Sequence, residues 1–396
     1  MTHTTVDSTA SSPSVFLTLM PIMAVVLLAF TVIGLALPVL PLHVHQGLGL
    51  GTFVVGLVTG SQFAASLVSR VWAGHFADDR GAKITVVVGL VAAAVSGNLY
   101  LISLPLTHTP WLSVTVLLLG RALLGAAESF IITGALSWGL GLVDHRSAGK
   151  VIAWVGTAMY AAFALGAPVG SILFDRYGFV SIALATVVIP LAALVMVLGR
   201  RGTAPSVHAQ RVPMRKIIGT VWVPGVGLAL SSIGFGAMTA FISLLFAERG
   251  WTPVWLAFSA FAAAFIVARS LLGHLPDKLG GAKVALVFVV VEAAGQFCIW
   301  LAPGPGVALV GAVLSGLGYS LVYPGLGVEA VRGVPPQSRG LAMGTYTAFL
   351  DLALGVTTPI LGIIAGWSGL RVVFLVGGVL AIISAGVSAR LIPRER

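Results

Sequence analysis

The chain has 396 residues, of which 58% are hydrophobic and only 9% are charged. Soluble domains carry about 25% charged residues, so this composition excludes a water-soluble fold and much of the apolar surface must face lipid. One membrane-spanning helix needs roughly 20 apolar residues, and the length leaves room for about twelve such helices with short loops.

Twelve apolar segments follow one another along the chain. A polar stretch rich in Ser and Thr, Met1–Pro13, precedes the first segment and indicates a short cytoplasmic tail rather than a cleaved signal. Only Trp367–Leu370 separates the last two segments. We predict transmembrane helices over residues 15–41, 53–73, 84–106, 112–142, 151–174, 179–199, 217–246, 254–272, 284–302, 306–330, 341–366 and 371–390.

The loop between the sixth and seventh segments is the longest, and it is polar, basic and contains two prolines. We predict that it links two six-helix halves. The chain then divides into a cytoplasmic tail 1–14, an N-terminal half 15–199, a cytoplasmic linker 200–216, a C-terminal half 217–390 and a cytoplasmic tail 391–396.

The positive charges decide the orientation, because membrane insertion retains Lys and Arg on the cytoplasmic side. With both termini inside, the outer loops hold only Arg176, Arg249 and Arg371. The net charge of +10 therefore indicates a membrane topology rather than a nucleic-acid partner. The predicted cytoplasmic set is Arg80, Lys83, Arg146, Lys150, Arg200, Arg201, Arg211, Arg215, Lys216, Lys278, Lys283, Arg332, Arg339, Arg390, Arg394 and Arg396.

The two halves carry matching signatures in the same order, which indicates a duplicated six-helix unit. The end of the second segment and the end of the eighth share Arg, Gly, His, Asp and Gly at identical spacing. These residues are Arg70, Gly74, His75, Asp78 and Gly81, followed by Lys83, and Arg269, Gly273, His274, Asp277 and Gly280, followed by Lys283. The fourth and tenth segments share Gly125, Ser129 and Gly134 with Gly316, Ser320 and Gly325, and Ala164–Gly166 before Pro168 matches Ala353–Gly355 before Pro359.

These motifs resemble those of the major facilitator superfamily. The run from Gly74 to Lys83 looks like its cytoplasmic loop signature, and Arg121 with Gly125 resembles the helix-4 motif of its proton-coupled members. Gly166, Pro168 and Gly170 resemble the helix-5 motif of its antiporters, with the proline displaced. The resemblance covers the whole chain and is closest to small bacterial efflux permeases of the drug and sugar-efflux type. It implies an all-α membrane fold of twelve helices in two pseudo-symmetric halves.

The loop signature departs from the family pattern, since Asp79 and Ala82 stand where the family carries Arg. Its glycines permit a tight turn, where φ is often positive. A carboxylate at Asp78, and at Asp277 in the second half, is placed to cap the N-terminus of a facing helix. The resemblance implies a gate at these loops, formed by Arg70, Gly74, Asp78, Gly81 and Lys83 and by Arg269, Gly273, Asp277, Gly280 and Lys283; a simple loop salt bridge is the alternative.

Charges within the spans are the sharper clue, because a charge at the bilayer centre costs at least about 2.5 kcal/mol. Arg121 and Glu128 lie seven residues apart on one face of the fourth helix, which lines the cavity in the resembled family. Asp351 lies near the middle of its span and must meet a partner across helices or be protonated. We predict that these three residues couple protons or substrate to transport, against a static interhelical bond as the alternative.

Glu292 and Glu329 are secondary candidates: a structural bond is expected for Glu292, and a pairing with Arg70 or Arg269 for Glu329. Four tyrosines within the spans could stack on a ligand or simply pack, and the sequence leaves both readings open. No metal site and no cofactor are predicted, since His43 and His45 lack a third ligand and the single cysteine has no partner. The four tyrosines are Tyr160, Tyr319, Tyr323 and Tyr346.

The leading hypothesis is a monomeric, proton-coupled exporter of a small organic molecule in a bacterial inner membrane. An uptake symporter or a facilitator on the same fold is the first alternative, because direction is not written in the sequence. A polytopic membrane enzyme is the second, but no catalytic cluster is present to support it.

Overall fold

The computed structural model describes residues 15–143, 148–203, 214–334 and 339–392 and is almost entirely helical. The predicted N-terminal tail, most of the predicted linker and most of the predicted C-terminal tail lie outside these ranges. In the described part, eleven helices are long and apolar enough to cross a membrane, and one more apolar helix has 17 residues. They are α1 (Val15–Ala36), α2 (Thr52–Arg80), α3 (Ala82–Ser103), α4 (Pro110–Leu142), α5 (Ala148–Tyr177), α6 (Phe179–Leu198), α7 (Met214–Glu248), α8 (Leu256–Leu272), α9 (Gly281–Leu301), α10 (Pro305–Ser320 and Val322–Val331), α11 (Arg339–Ser368) and α12 (Leu370–Arg390).

Most of the predicted spans are confirmed, but two boundaries were wrong. The second helix continues to Arg80, so Gly74 and Asp78 lie in its last turns and not in a loop. The first helix ends at Ala36 and is followed by the short helix Leu40–Leu42 and a π-helical turn. The second helix is longer than predicted because an apolar pattern marks the lipid-embedded part of a helix and not its polar extension into water. The first helix is shorter than predicted because Pro38 and Pro41 follow it, and proline disfavours helical geometry in the residue before it.

Six glycines with positive φ mark the helix junctions, and they fall into three pairs between the first six helices and the last six. Gly81 (φ 90°) begins α3 and Gly280 (φ 92°) begins α9. The other pairs are Gly178 with Gly369 and Gly49 with Gly250. Only glycine reaches this region without strain. The positive φ predicted for the loop signatures is therefore confirmed at Gly81 and Gly280. The prediction was wrong for Gly74 and Gly273, which have helical geometry.

Other repeated glycines allow helices to touch backbone to backbone, as is common between membrane helices. A Cβ on Gly125 of α4 would strike the carbonyl of Gln62 on α2, and a Cβ on Gly316 of α10 would strike the carbonyl of Phe261 on α8. The sequence repeat therefore corresponds to a repeated helix packing.

The first and seventh helices, α1 and α7, are buried more completely at one end of the bundle than at the other. Because the number of helices is even, Val15 and Arg390 lie at the same end, which we call the termini face. Residues 32–41 and 231–246, at the far end of α1 and of α7, are buried without exception. Toward the termini face the same helices alternate between buried and exposed positions. From this difference in burial we infer a crevice that opens on the termini face and is sealed opposite it.

Candidate functional site

A polar stripe on α2 contacts α4 and α11. Gln62, Ser66 and Arg70 are spaced by four residues and therefore share one face of the helix. Ser66 meets Ser129 of α4, with 2.9 Å between the hydroxyl oxygens, and Arg70 Nη2 lies 3.4 Å from the Ser66 hydroxyl. Gln62 and Ser66 were not predicted from the sequence, although polar residues four positions apart in an apolar helix indicate a polar helix face.

Arg70 forms an ion pair with Asp351 across the boundary between the first and last six helices. Its Nε donates to Asp351 Oδ2 over 3.0 Å, and its Nη2 donates to the same oxygen. The side chain of Asp351 is 3% exposed and that of Arg70 is 20% exposed. The expected partner of Asp351 across helices is therefore Arg70, and the bond joins α2 to α11.

Glu128 lies beside this ion pair on α4 and is only half-buried. Its Oε2 accepts a hydrogen bond of 2.7 Å from Gln62 Nε2. No cation pairs with Glu128 among the described residues. A carboxyl group with a neutral partner and access to water can exchange a proton or contact a charged ligand.

Arg121 does not line the crevice with Glu128, which corrects the expectation from their spacing. Its side chain is fully buried, and Nε points at the Val58 carbonyl of α2 at 3.4 Å. Tyr100 of α3 is close enough for an electrostatic interaction. Arg121 lies two turns farther from the termini face than Glu128, at a depth where the helices have already closed around α4.

Arg269 and Glu329 do not pair, contrary to the expectation for Glu329. Arg269 Nη1 donates to the Ser320 carbonyl over 3.2 Å. Glu329 pairs with Arg332 at 2.8 Å and accepts a hydrogen bond from the Ala282 amide at 3.1 Å. Because Ala282 lies in the first turn of α9, Glu329 caps the N-terminus of that helix. A facing carboxylate therefore caps a helix here, as was predicted for Asp78, but with a different residue.

Glu292 is buried within the last six helices, where it accepts a hydrogen bond from Ser231 of α7. Its neighbour Gln296 donates to the Gly234 carbonyl and to Ser315, each over 3.3 Å. These contacts are the interhelical bond expected for Glu292.

The signature loops lie at the termini face. Asp78 is exposed in the last turn of α2, and Asp277 is exposed in a short helix, Leu275–Leu279, after α8. Lys83 Nζ donates to the carbonyls of Leu198 and Arg200, at 3.0 and 2.6 Å, and so caps the C-terminus of α6. Lys283 is exposed near the start of α9.

The antiporter-like motif lies in α5, where it packs on α1. A Cβ on Gly166 would lie 2.8 Å from the Gly34 carbonyl carbon, and one on Gly170 would strike the Leu35 backbone. Pro168 lies inside the helix without ending it. The motif thus sets a close crossing of two helices.

Of the four tyrosines, three pack within the last six helices and one contacts a residue across the boundary between the two sets of helices. Tyr319 and Tyr346 are fully buried, and Tyr323 shares a hydrogen bond of 2.7 Å with Thr347. Tyr160 of α5 lies against Phe265 of α8, with ring centroids 4.2 Å apart, and is half-buried. Of the four, Tyr160 joins the two sets of helices.

No group of three or more His, Cys, Asp or Glu side chains converges in the described ranges. A charged cluster is formed instead by Arg70 and Glu128 of the first six helices and Asp351 of the last six, and Arg269 also belongs to the last six. Such a cluster can bind protons and small charged ligands. It also spans the boundary between the first six and the last six helices, which must move if the crevice is to open on the opposite face.

Comparison with known proteins adds relatives over the whole length. A family model described as Major Facilitator Superfamily matches residues 22–328 and 254–396. An uncharacterized MFS-type transporter of Salmonella typhimurium is 43% identical over 374 residues, covering 94% of this chain and 96% of its own. An uncharacterized MFS-type transporter of Burkholderia pseudomallei is 42% identical over 399 residues, covering 100% of this chain and 98% of its own.

Solved structures share the fold at low sequence identity. The crystal structure of a D-xylose-proton symporter superposes with a TM-score of 0.77 at 15% identity, covering 95% of this chain and 97% of that one. At this identity the likeness concerns the arrangement of helices alone, and it agrees with the twelve-helix bundle described above.

Proposed function

The chain belongs to the major facilitator superfamily, and we propose that it exports a small organic molecule in exchange for protons by alternating access. Membrane transport on this fold, and not enzymatic catalysis, is what the family membership establishes. Export, proton coupling, a bacterial inner-membrane location, cytoplasmic termini and a monomeric state are parts of the proposal. With that orientation the crevice faces the cytoplasm.

The observation that carries the proposal is the ion pair between Arg70 and Asp351. It joins the two sets of helices close to the half-buried carboxyl group of Glu128. Protonation of Asp351 removes the charge that holds Arg70 and so weakens a contact present in the sealed arrangement. A proton is thereby able to bias the equilibrium between two conformations, which is the requirement for coupling.

Glu128 supplies the exchange step. A substrate in the crevice and a proton both compete for this carboxylate, so that binding one expels the other. The proton gradient then drives substrate out, because protons arriving from outside displace it when the crevice faces that side. No step requires ATP.

The moving bodies in this proposal are the six-helix units 15–199 and 217–390, which rock about the crevice. The outer seal contains α2 packed on α11, where a Cβ on Gly56 would strike the Thr358 carbonyl. The loops of Asp78 and Asp277 form the inner gate, and their closure would accompany opening of the seal.

The alternative on the same fold is uptake by symport or facilitated diffusion. The same residues would serve it, with substrate and proton bound together rather than in turn. The discriminating result is the direction of substrate flux when a proton gradient is imposed on sealed vesicles.

Reconstituted transport tests the coupling. Purified protein is placed in proteoliposomes with a labelled substrate identified by a thermal-shift screen of metabolites and drugs. Asp351→Asn and Glu128→Gln mimic permanently protonated carboxyl groups, so exchange between equal pools is expected to survive while gradient-driven accumulation fails. Glu292→Gln is the matched control, because its bonds lie within the last six helices, and it should keep both activities.

Normal gradient-driven transport by both variants would exclude Asp351 and Glu128 as coupling residues and overturn the proposal. Loss of both activities together with a lowered melting temperature would assign the affected carboxyl a structural role instead.

A further inference from the structure

Two charged groups within the membrane-spanning helices form no ion pair of their own, because Arg70, which lies in electrostatic range of Glu128, is bound to Asp351. Glu128 on α4 has one neutral partner, Gln62, and Arg269 on α8 has one backbone partner, the Ser320 carbonyl. Neither takes part in an ion pair among the described residues, and both side chains are half-buried. Charged groups at this depth are costly and are commonly paired or part of a ligand pathway.

A break in the internal repeat explains why Arg269 lacks a counter-ion. Arg70 and Arg269 occupy equivalent positions at the ends of α2 and α8, and Arg70 is neutralised by Asp351 of α11. The matched runs Ala164–Gly166 and Ala353–Gly355 place Ala162 of α5 in the position equivalent to Asp351. Because alanine carries no charge, Arg269 has no carboxylate equivalent to the Asp351 that pairs with Arg70.

Each set of helices places one of these two charged groups near Tyr160. Arg269 lies one turn from Phe265, whose ring contacts Tyr160 across the boundary, and on the termini side of that contact. Tyr160 is in electrostatic range of both Arg269 and Glu128. A ligand beside Tyr160 would therefore lie in electrostatic range of a positive group from one set of helices and of a negative group from the other.

We propose that the transported molecule is a zwitterion of amino-acid type, whose cationic nitrogen binds Glu128 and whose carboxylate or similar anion binds Arg269. This rests on the proposed transport function and specifies its substrate. Arg269 forms a forked, charge-assisted contact with the anion, which a neutral side chain cannot replace. Tyr160 supplies an aromatic wall between the two charged ends.

Such a substrate also links binding to the rocking motion. Glu128 belongs to the first six helices and Arg269 to the last six, so a molecule bound to both draws the two units together on the side of the open crevice. A proton that neutralises Glu128 removes the bond to the cationic nitrogen and leaves the anion held alone. Uptake of the proton therefore weakens substrate binding, as exchange requires.

The test measures thermal stabilisation of the purified full-length protein by a panel of amino acids. Each amino acid is compared with its methyl ester, which keeps only the positive charge, and with its N-acetyl derivative, which keeps only the negative charge. Wild type is expected to respond to at least one amino acid with an apparent affinity at least about tenfold better than to either derivative.

Two variants should change this preference in opposite directions. Arg269→Gln is expected to bind the methyl ester with the same affinity as the parent amino acid. Glu128→Gln is expected to bind the N-acetyl derivative with the same affinity as the parent amino acid. Arg332→Gln is the control, because Arg332 pairs with Glu329 and is half exposed at the termini face; it should retain the wild-type preference.

The proposal is wrong if no amino acid of the panel stabilises wild type at millimolar concentration, if an ester binds wild type as well as its parent, or if Arg269→Gln keeps the wild-type preference. These results are separate from the proton-coupling test. A zwitterion preference without gradient-driven flux would refute proton coupling but keep the substrate class. Gradient-driven flux of cations alone would keep proton coupling but refute the substrate class.

Discussion

Replacing Asp351 by Asn should shift the transporter away from the sealed arrangement. Arg70 directs two nitrogen donors at one oxygen of Asp351, and this contact joins α2 to α11. Asn keeps the shape and one acceptor oxygen but loses the negative charge. The contact then becomes an ordinary hydrogen bond to Arg70.

The size of the shift follows from how exposed the pair is. Exposed ion pairs contribute about 0–1 kcal/mol, and breaking a fully buried pair costs about 3–5 kcal/mol. This pair lies between these limits, since one side chain is 20% exposed and the other 3%. Hydrogen bonds to charged groups contribute about 1.5–3 kcal/mol, and because Asn still accepts one bond we take the lower value. That value changes the ratio of the two conformations about tenfold.

Disulfide formation across the seal reports this ratio. A Cβ on Gly366 of α11 would lie 3.3 Å from the Thr52 hydroxyl of α2, so Thr52→Cys and Gly366→Cys can bridge only when the seal is closed. The native Cys298 is first replaced by Ser, which leaves these two thiols alone in the chain. The initial rate of oxidant-driven bridging should fall in Asp351→Asn relative to the parent.

Arg70→Gln should slow bridging to a similar extent, and the double variant should add little to either change, because both remove the same bond. An unchanged bridging rate in Asp351→Asn would refute the reasoning: the ion pair would then have equal strength in both conformations and could not bias them.

Four further predictions test other parts of the structure. Gly56→Ala should cost about 1–3 kcal/mol and slow transport, because its Cβ meets the α11 backbone, whereas Gly74→Ala, whose Cβ meets nothing within 4 Å, should retain transport. Asp78→Asn should keep the melting temperature but slow transport and alter cross-linking between the gating loops; unchanged cross-linking contradicts a gate there. Glu329→Gln should lower stability by about 1 kcal/mol in thermal unfolding, since a helix cap is lost, without changing proton coupling. A cysteine at Ser206, in the linker, should react with impermeant reagents only from the cytoplasmic side, and labelling from outside intact cells would reverse the orientation.

The sequence predicted the helices well because lipid forces every backbone group to bond within its own segment. It also predicted the repeat and the positive φ of Gly81 and Gly280, since a duplicated turn that needs glycine leaves glycine in both copies. Gly74 misled the interpretation because helices tolerate glycine in a polar extension beyond the membrane.

Contacts between distant segments could not be predicted. Arg70 and Asp351 are separated by 281 residues, and the sequence around either residue does not indicate that the other is its partner. The spacing of Arg121 and Glu128 correctly indicates a shared helix face, but it does not reveal the depth at which neighbouring helices close over that face. For this reason Arg121 is fully buried while Glu128 reaches the crevice.

The glycine contacts between α2 and α11 bear on how well the protein insulates one compartment from the other. At Gly56 and Gly362 backbone lies directly on backbone, so no flexible side chain stands in the gap to swing aside and admit a file of water molecules. Proton conduction needs such a file. A barrier built in this way limits leakage of protons through the resting protein, and under the proposed proton exchange the gradient would then be used only by turnover.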